Sequence, residues 1–374
     1  MPGTVAGARR RAVPGPPPVR SRKGLITMSF TLRRRRPAVA VAVSLTALAA
    51  AGCGGSASAG GPSQGRVPAV IKLKDPGNSG PLAYAKREGI LERRLKEVGA
   101  RVEWGGTYAS FTATIDAVRS RSVNVLEGAI SPVLGYLANS RDIKIVSFTD
   151  RVTDPEAPHT DGLVVPPGSP VRSVKDLVGK RVAVNKGGRG EYLLLLALEQ
   201  AGVPVDQVRR VYLNPDQAAS AFATGKVDAW WAIVRAYPEV VAKGARVLVH
   251  GRDLPEQDLS IIAARTELLQ RHPRAVRVYV DVLRELYAEQ RRSPEKFQNV
   301  FLSKGPTAVS GPRLQVELAK ARYENGPRYA TPADGRYVTA VNGVFRKYGV
   351  LPVDVRPQDV IFDLAKAPAP AATP

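Results

Sequence analysis

The residues best suited to chemistry form a glycine-rich loop at positions 185–190, with the sequence Asn-Lys-Gly-Gly-Arg-Gly. A β-branched run at 181–184 precedes the loop and a leucine-rich segment at 191–201 follows it, which predicts a strand, a loop and a helix. The first N–H groups of a helix have no partner within the helix and attract negative charge. Two cations of the loop add to this attraction, and its glycines let a ligand approach the backbone closely. The predicted ligand contacts are Lys186, Gly187, Gly188, Arg189 and Gly190.

The spacing of these glycines excludes a nucleotide-binding loop. It matches neither the P-loop nor the dinucleotide fingerprint. An ordinary strand-to-helix turn with solvated cations would need the same residue types, so the loop alone leaves both interpretations open. Glu191, in the first turn of the predicted helix, would either stabilise the helix dipole or meet a positively charged ligand group.

Predicted strands and helices alternate through the rest of the chain. The pattern covers residues 71–148, breaks around 155–160 and resumes over 162–249. Such alternation predicts an α/β fold with mostly parallel sheets and with ligands at the carboxyl ends of the strands. Helix starts are indicated by Ser173-Val-Lys-Asp176 and by Asn214-Pro-Asp-Gln217. Amphipathic helices are predicted over residues 267–290, 312–323 and 334–347.

The composition indicates a globular chain with one strongly basic end. The 374 residues carry a formal charge of +22, and their number suggests two domains or lobes. Ten of the 55 Lys and Arg and no acid lie in residues 1–52, so the remainder, with 45 basic and 33 acidic residues, carries +12. These basic residues are scattered, which argues against nucleic-acid binding. The histidines lack metal-ligand spacing and no nucleophile motif is present, so we expect no metal, no cofactor and no enzymatic activity.

The N-terminal region predicts export and lipid anchoring. Arginines at 33–36 precede an apolar run at 38–51, which is shorter than the roughly 20 residues that a membrane span needs. The run ends in Ala-Gly-Cys53, which resembles the lipobox of bacterial lipoproteins. The resemblance implies that Cys53 is lipid-modified and becomes the first residue of the mature chain, which would hold the protein on the membrane.

Residues 1–53 are therefore the predicted lipoprotein signal. A signal of ordinary length would span 28–53, so the start codon, Met1 or Met28, and the export route stay open. The Gly/Ser-rich residues 54–65 predict a flexible tether with a reach of roughly 20 Å.

From residue 68 to residue 350, the order of motifs resembles the solute-binding proteins of ABC importers for aliphatic sulfonates, taurine, nitrate and thiamine precursors. The matching motifs are Leu82-Ala-x-Ala-x-x-x-Gly89, Ser122-Val-Asn-Val with Ser131-Pro132, Val174-x-Asp-Leu-x-Gly179, Lys186-Gly187, Ala201-Gly202-Val, Tyr212-Leu-x-Pro215 and Gly225-Lys-Val-Asp-Ala-Trp230. The resemblance implies a two-lobed type II periplasmic-binding-protein fold of the α/β class, with a hinge and a ligand cleft between the lobes.

The resemblance also implies a domain organisation. Lobe 1 would comprise residues 66–159 and 255–364, lobe 2 would comprise residues 160–254, and the Ala/Pro-rich tail 365–374 is expected to be disordered. Such a protein would work as a monomer on the extracytoplasmic face of the cell membrane. It would capture a small-molecule solute and deliver it to an ABC permease.

Further ligand contacts are expected where loops face this cleft. They are Asn78, Ser79, Glu127, Gly128 and Ala129 from lobe 1, and Trp230, Trp231 and Arg235 from lobe 2. The two tryptophans point to opposite faces of a predicted strand, so one is expected in the core, while the other would line the cleft.

The solute is expected to be small and either anionic or zwitterionic, with an aliphatic sulfonate or a taurine-like compound as the first choice. Arg189 and Arg235 favour an anion, which they could hold through paired N–H groups, although solvated arginines would look the same in the sequence. Glu127 and Glu191 would suit an ammonium group. The chain departs from sulfonate binders at residues 188–191 and 233–235. A pyrimidine thiamine precursor, nitrate, bicarbonate, or a surface sensor without a transport role therefore stay open.

Overall fold

The computed structural model describes residues 68–108 and 111–367. The chain divides into two compact units, Met1–Ser63 and Gln64–Pro374, and the described residues all belong to the second unit. The predicted signal with Cys53, the predicted tether and most of the predicted tail lie outside the described residues. Within those residues, no helix is both long enough and apolar enough to cross a bilayer.

The secondary structure alternates between strands and helices. The strands are β1 (Ala69–Leu73), β2 (Ala100–Trp104), β3 (Val125–Ala129), β4 (Ile143–Thr149), β5 (Asp161–Val165), β6 (Arg181–Val184), β7 (Arg209–Tyr212), β8 (Ala229–Ile233), β9 (Arg246–His250), β10 (Ser260–Arg265) and β11 (Arg328–Tyr329). The α-helices are α1 (Pro81–Arg87), α2 (Ile90–Lys96), α3 (Phe111–Arg119), α4 (Ile130–Leu137), α5 (Arg189–Gln200), α6 (Pro215–Ala223), α7 (Ala236–Ala242), α8 (Thr266–Arg271), α9 (Pro273–Arg292), α10 (Gly311–Ala321), α11 (Gly335–Lys347) and α12 (Pro357–Val360). Short 3₁₀ helices cover Val174–Leu177, Val205–Gln207, Gly251–Asp253, Pro294–Phe297, Pro332–Asp334 and Leu364–Lys366.

The strands form three sheets. β1 pairs with β2, a four-stranded sheet has the order β11-β4-β10-β3, and a five-stranded sheet has the order β7-β6-β8-β5-β9. β6 is parallel to β7 and β8, whereas β10 is antiparallel to β3 and β4, and β5 is antiparallel to β8 and β9. The expectation of mostly parallel sheets is therefore wrong. β5 and β10 are the first strands after the chain passes from one sheet to the other, and each lies between two strands that run in the opposite direction.

The chain passes between the two larger sheets twice. The first crossing segment joins β4 to β5 over residues 150–160, and the second joins β9 to β10 over residues 251–259. The whole five-stranded sheet thus comes from one continuous stretch of the chain. The division into lobes that was predicted from the sequence stays a prediction, and the crossing segments are the features that position the site described below.

Local sequence signals set most of the element boundaries. Asn214 caps α6 because its Oδ1 accepts from Gln217 N at 2.9 Å, and Gln217 Oε1 accepts from Asn214 N at 3.2 Å. The helix predicted over residues 267–290 is two helices. It breaks at His272 because Pro273 has no N–H and therefore starts α9 instead of continuing α8.

Helix α5 is held rigidly behind the glycine-rich loop. Four of its leucines, Leu193, Leu194, Leu195 and Leu198, are fully buried. Each such side chain contributes about 1.5–3 kcal/mol by its burial. Tyr192 of the same helix meets the ring of Phe345 in α11 edge-on at 6.0 Å. The N-terminus of α5, where Arg189 lies, is therefore fixed by packing.

Asn124 connects two of the sheets. Its Oδ1 accepts from Lys72 N at 2.7 Å and its Nδ2 donates to Val70 O at 2.8 Å, so the side chain continues the pattern of strand pairing beside β1. Asn124 also precedes β3 in the four-stranded sheet. The Asn124 side chain, together with its backbone N–H, which donates to Lys72 O at 3.0 Å, therefore joins β1 to the start of β3.

We expect the substitution Asn124→Ala to lower the free energy of unfolding by about 1–3 kcal/mol, because it leaves a backbone donor and a backbone acceptor of β1 unpaired. Urea unfolding at neutral pH would measure the loss. Asn139→Ala is a suitable control because Asn139 is exposed. If both variants unfold at the same urea concentration as the wild type, Asn124 does not hold the sheets together.

Candidate functional site

A cavity of about 370 Å³ lies where the chain crosses between the two larger sheets. This volume falls in the range of small-molecule sites, roughly 300–1,000 Å³. Its walls come from the ends of β3, β4 and β8, from both crossing segments, and from α9 and α10. Its charged residues are Asp150, Arg151, Asp161, Arg189, Arg252, Glu256, Asp258, Lys320 and Glu324, and its apolar and aromatic residues include Ala129, Ile233, Val234, Leu259, Tyr287 and Tyr323.

Arg189 is the residue of the glycine-rich loop that reaches the cavity. Its guanidinium donates to Asp161 Oδ2 at 3.0 and 3.2 Å, to Glu256 Oε2 at 2.5 Å and to Asp258 O at 2.9 Å. Burial opposes its charge, yet Asp161 and Glu256 raise the pKa of Arg189 above its ordinary value. The expected anion clamp is therefore already occupied by two carboxylates of the protein itself.

Glu256 joins Arg189 to the second arginine of the wall. Its Oε1 lies 3.2 Å from Arg151 Nε, and Arg151 also donates to the backbone oxygens of Glu256 and Arg252 at 3.1 Å. Arg252 differs from both arginines. Its described contacts are backbone carbonyls, those of Asp154 at 3.1 Å, Pro155 at 3.3 Å and Ala157. Its charge is therefore the least compensated among the arginines of the wall.

Asp258 occupies the N-terminus of α4. Its two carboxylate oxygens accept from Ser131 N at 2.8 Å and from Ser131 Oγ at 2.6 Å. Burial raises the pKa of Asp258 to about 6, although Arg189 and the Ser131 hydrogen bonds act in the opposite direction. A helix N-terminus that would attract a ligand anion is thus already filled by an internal carboxylate.

Glu191 fills the corresponding position at α5. The side chain is fully buried, and its Oε2 accepts from Gly187 N at 2.7 Å. Its Oε1 accepts from Arg210 Nη1 at 2.7 Å and from Tyr212 Oη at 2.8 Å, and burial together with this carboxylate raises the pKa of Tyr212 to about 12. Glu191 therefore lies at the helix end and outside the cavity wall.

The remaining loop residues lie outside the cavity wall. Gly188 N donates to Asn185 O at 3.1 Å and Gly190 N donates to Asn185 Oδ1 at 3.3 Å, so internal acceptors use these amides. Lys186 is exposed, and its Nζ lies 5.6 Å from the centre of the Tyr212 ring. Only Arg189 among the five predicted contacts of this loop lies in the cavity wall.

The opposite wall comes from α9, α10 and the residues after α10. Lys320 Nζ lies 3.4 Å from carboxylate oxygens of both Glu317 and Glu324. Burial opposes its charge, but these two acids raise the pKa of Lys320. Tyr287 and Tyr323 supply aromatic surface on this side. The wall therefore offers aromatic faces beside a compensated ammonium group.

The loop after β8 supplies an apolar part of the wall under backbone strain. Val234 has φ of +52° and is 62% exposed, although left-handed backbone is unfavourable for a β-branched residue. Ile233 and Val234 both line the cavity. Arg235, which was predicted to contact the ligand, lies outside it and is 3.7 Å from Glu239. Residues 233–235, where the sequence departs from that of sulfonate binders, thus place two apolar side chains in the cavity wall.

Asn78 and Ser79 do not reach the cavity. Asn78 Oδ1 accepts from Phe301 N and Leu302 N, and its Nδ2 donates to Leu302 O and Thr307 O. All of its hydrogen-bonding capacity therefore holds the 300–307 segment. Ser79 is exposed and lies outside the cavity wall.

The predicted contacts on β3 divide between the cavity and the core. Ala129 lines the cavity, whereas Glu127 and Gly128 lie further back along the strand. Glu127 Oε1 accepts from Tyr279 Oη at 2.7 Å. The pKa of Tyr279 is raised well above its usual value by burial and by this carboxylate. Glu127 is therefore occupied by a phenol of α9.

Trp230 and Trp231 are both buried in the core. As predicted, they point to opposite faces of β8. Trp230 packs against Phe222, with ring centres 5.8 Å apart, and Trp231 belongs to the larger cluster that contains the α5 leucines. Neither ring lines this cavity, and the expectation that one of them contacts the ligand stays a prediction.

Two histidines stack at the crossing segments. The rings of His159 and His250 are 3.5 Å apart and nearly parallel, and His250 Nδ1 lies 3.0 Å from Tyr237 Oη. Burial and the charges of His250 and Arg252 lower the pKa of His159. Burial and the charge of Arg252 lower the pKa of His250. The nearby Asp161 and Asp253 only partly oppose these shifts. The pair is therefore most favourable when neutral.

We expect His159→Phe to reduce the loss of stability at acidic pH. The unfolded imidazoles take up protons near pH 6.5, while the folded pair resists protonation, so the contribution of this pair to stability is lost as the pH falls below about 6.5. Phenylalanine keeps the ring stacking and cannot be protonated. Urea unfolding at about pH 7.5 and about pH 5 would show a smaller drop for the variant, and the control His272→Phe should drop like the wild type.

The residues that the sequence did not single out lie mainly in the crossing segments. They are Arg151, His159, Asp161, Arg252, Glu256, Asp258 and Lys320. One signal was available. The stretch Leu254-Pro-Glu-Gln-Asp-Leu259 places two acids between apolar residues at a predicted boundary. Acids next to leucines in a short connection indicate buried, and therefore paired, carboxylates.

The chain is similar in sequence to known solute-binding proteins. Residues 116–297 match the family model described as NMT1/THI5 like. A protein of Escherichia coli (strain K12) named for binding aliphatic sulfonates is 32% identical over 190 residues, which cover 49% of this chain and 56% of that protein. A protein of the same name from Bacillus subtilis (strain 168) is 28% identical over 223 residues, covering 59% and 65%. The taurine-binding periplasmic protein of E. coli is 26% identical over 190 residues, covering 49% and 56%. The chain thus spans a little over half the length of these relatives.

Solved structures match over most of the folded chain. The alkanesulfonate-binding protein SsuA from Xanthomonas axonopodis pv. citri, bound to MOPS, has a TM-score of 0.67 at 22% identity, covering 79% of this chain and 98% of that one. SsuA from E. coli has a TM-score of 0.65 at 22% identity, covering 79% and 97%. The desulfurization enzyme DSZB has a TM-score of 0.52 at 17% identity, covering 81% and 99%.

These matches confirm the predicted fold class and the predicted resemblance. Structural likeness at these identities establishes the fold alone, and the fold is shared by binding proteins and by at least one enzyme. Residues 116–297 thus match the NMT1/THI5-like family model, and the chain is similar in sequence to aliphatic sulfonate-binding and taurine-binding proteins and has the α/β periplasmic-binding-protein fold.

Proposed function

We propose that this protein is an extracytoplasmic solute-binding protein that delivers a small organic solute to an ABC permease. The observation that carries the proposal is the cavity at the two crossing segments, which combines charged groups of both signs with aromatic and apolar surface. The names of the relatives support the same role. We propose binding without catalysis because these relatives are named as binding proteins. The bound solute should therefore be recoverable unchanged.

The two larger sheets would belong to two lobes that close on the solute. Lobe 1 would comprise residues 66–159 and 255–364, and lobe 2 would comprise residues 160–254. The crossing segments would act as the hinge, because they are the connections that link the four-stranded and five-stranded sheets. Closure would bury the solute and form the surface that a permease recognises, with the binding protein acting as a monomer.

The charges of the cavity favour a zwitterion over a simple anion. Its wall contains five carboxylates and four Lys or Arg residues, and three of these cations are already paired with acids. Nitrate or bicarbonate would find no surplus of positive charge. A taurine-like solute could place its sulfonate near Arg252, the least compensated arginine, and its ammonium near the carboxylates and the faces of Tyr287 and Tyr323.

A thermal-shift screen of the full chain tests the function. A ligand at 100 times its dissociation constant adds about 2.7 kcal/mol of stability, which is readily detected. The panel should contain taurine, isethionate, longer alkanesulfonates, nitrate, bicarbonate and a thiamine-precursor pyrimidine. Isethionate is the matched control for taurine, because a hydroxyl replaces the ammonium group. A shift confined to the pyrimidine would move the protein to the thiamine-precursor alternative, and the lack of any shift would favour a surface sensor without a transport role.

We also propose that Cys53 carries a lipid that holds the protein on the outer face of the cell membrane. The support is the lipobox-like sequence that ends at this residue. The substitution Cys53→Ala should move the protein from the membrane fraction to the soluble extracytoplasmic fraction, since lipid burial provides the anchoring energy. Fractionation followed by immunoblotting measures this. A variant that stays in the membrane fraction after salt washing would exclude lipidation at Cys53 as the anchor.

A further inference from the structure

A second, basic pocket lies at the opposite end of the strands that border the cavity. Its volume is about 220 Å³, and it is lined by Lys72, Arg121, Asn124, Arg265, Glu267, Leu268, Arg271 and His272. In the antiparallel pair of β3 and β10, Ala129 and Ser260 are partners at the cavity end, and Val125 and Ala264 are partners at the basic-pocket end. Five residues of a strand separate these ends by roughly 15 Å. The two pockets are therefore distinct.

The charge of the basic pocket is only partly compensated. Four of its residues are Lys or Arg and one is an acid. That acid, Glu267, is shared between Arg121 at 3.7 Å and Arg271 at 3.2 Å. Both arginines are about 70% exposed, and exposed ion pairs of this kind are weak and readily exchanged. A stronger anion could therefore replace Glu267 as their partner.

The other two cations are positioned by contacts that leave room for a ligand. Arg265 is held by Val118 O at 2.7 Å and by Asp142 Oδ2 at 3.0 Å. Lys72 Nζ is 3.5 Å from Arg121 O, and no carboxylate of the described residues forms an ion pair with it. Since Asn124 fixes the backbone of Lys72, the base of the pocket is rigid.

Arg121 stands where the backbone favours glycine. Its φ is +62°, and it follows the C-terminus of α3, a position that usually takes glycine because a side chain is unfavourable there. A long cationic side chain at a strained position is an observation that points to a role beyond folding. The side chain extends from this turn into the pocket wall.

We propose that the basic pocket binds a phosphate group, either in the headgroup of an anionic lipid or as free phosphate. Its arginines offer paired N–H donors that match phosphate oxygens, and Lys72 adds a point charge. The chain enters the fold at Ala69, three residues before Lys72. A lipid anchor upstream would hold the protein within reach of phospholipid headgroups, where each basic residue adds to the attraction.

The test compares two full-chain variants of equal charge. Arg121→Gly with Arg271→Gln removes two charges from the basic pocket, and the glycine suits the backbone at position 121, so the variant should fold. Lys226→Gln with Lys243→Gln removes two charges from exposed positions of the five-stranded sheet region. All chains share the same N-terminal region, so differences between them report on these charges.

Binding is measured to phosphatidylcholine vesicles with and without phosphatidylglycerol, and to inorganic phosphate by calorimetry. We expect the pocket variant to bind at least about tenfold more weakly than the control variant in one of these assays. A loss confined to phosphatidylglycerol vesicles assigns the ligand to a lipid headgroup, and a loss confined to inorganic phosphate assigns it to the free ion. Equal weakening of both variants, or no binding by the wild type in either assay, overturns the proposal.

Discussion

Replacing Arg189 by alanine should lower the free energy of unfolding by about 3–5 kcal/mol, the usual cost of removing one partner from a buried ion pair. The guanidinium is the shared partner of Asp161 and Glu256, which are 6% and 4% exposed, and it also bonds the backbone of Asp258. Without it, buried Asp161 loses its ion-pair partner and buried Glu256 keeps only Arg151. Urea unfolding at neutral pH measures the loss.

The control for this prediction is Arg235→Ala. Arg235 is 64% exposed and lies 3.7 Å from Glu239, so its loss should change stability by less than about 1 kcal/mol. A second variant, Arg189→Ala with Asp161→Asn and Glu256→Gln, removes the stranded charges and should recover part of the stability. If Arg189→Ala instead keeps full stability and only loses solute binding, then Arg189 is the anion clamp that the sequence suggested.

Arg189 illustrates what local sequence can and cannot establish. The glycine-rich loop, the charge at its centre and the helix that follows are all encoded within a few residues, and the structure places Arg189 in the cavity wall. Its partners, Asp161 and Glu256, are 28 and 67 positions away along the chain. No local pattern reveals that distant acids will meet an arginine, so the sequence did not show that Arg189 is already paired.

The elements were predicted better than the site residues because elements depend on neighbours in the sequence, whereas site residues depend on distant contacts. Strands and caps follow from neighbours in the sequence, as at Asn214 and Gln217, and their boundaries agree to within a few residues. Asn78 was expected at the ligand because its loop was expected to face the cleft, yet its amide binds the backbone more than 220 positions away. The expectation of mostly parallel sheets was wrong for a related reason. The antiparallel positions of β5 and β10 depend on where the chain crosses between the two larger sheets.

Asp258 should make stability depend strongly on pH, because its carboxyl group is buried at the N-terminus of α4. Its pKa is raised to about 6 by burial, from an ordinary value of 3.8. In the unfolded chain the group ionises first, so its contribution to stability is complete below about pH 4 and is lost as the pH rises to about 6. A shift of this size corresponds to about 3 kcal/mol.

The substitution Asp258→Asn should therefore abolish this pH dependence. Asparagine can still accept from Ser131 N, but it cannot ionise. Relative to the variant, the wild type should lose up to about 3 kcal/mol between about pH 4 and about pH 8, measured as the difference between their unfolding free energies. Asp116→Asn, at an exposed residue of α3, is the matched control and should leave the shape of the pH profile unchanged. A constant difference between wild type and Asp258→Asn over this range would mean that the carboxyl group is ionised in the folded protein throughout, with Arg189 and Ser131 outweighing its burial.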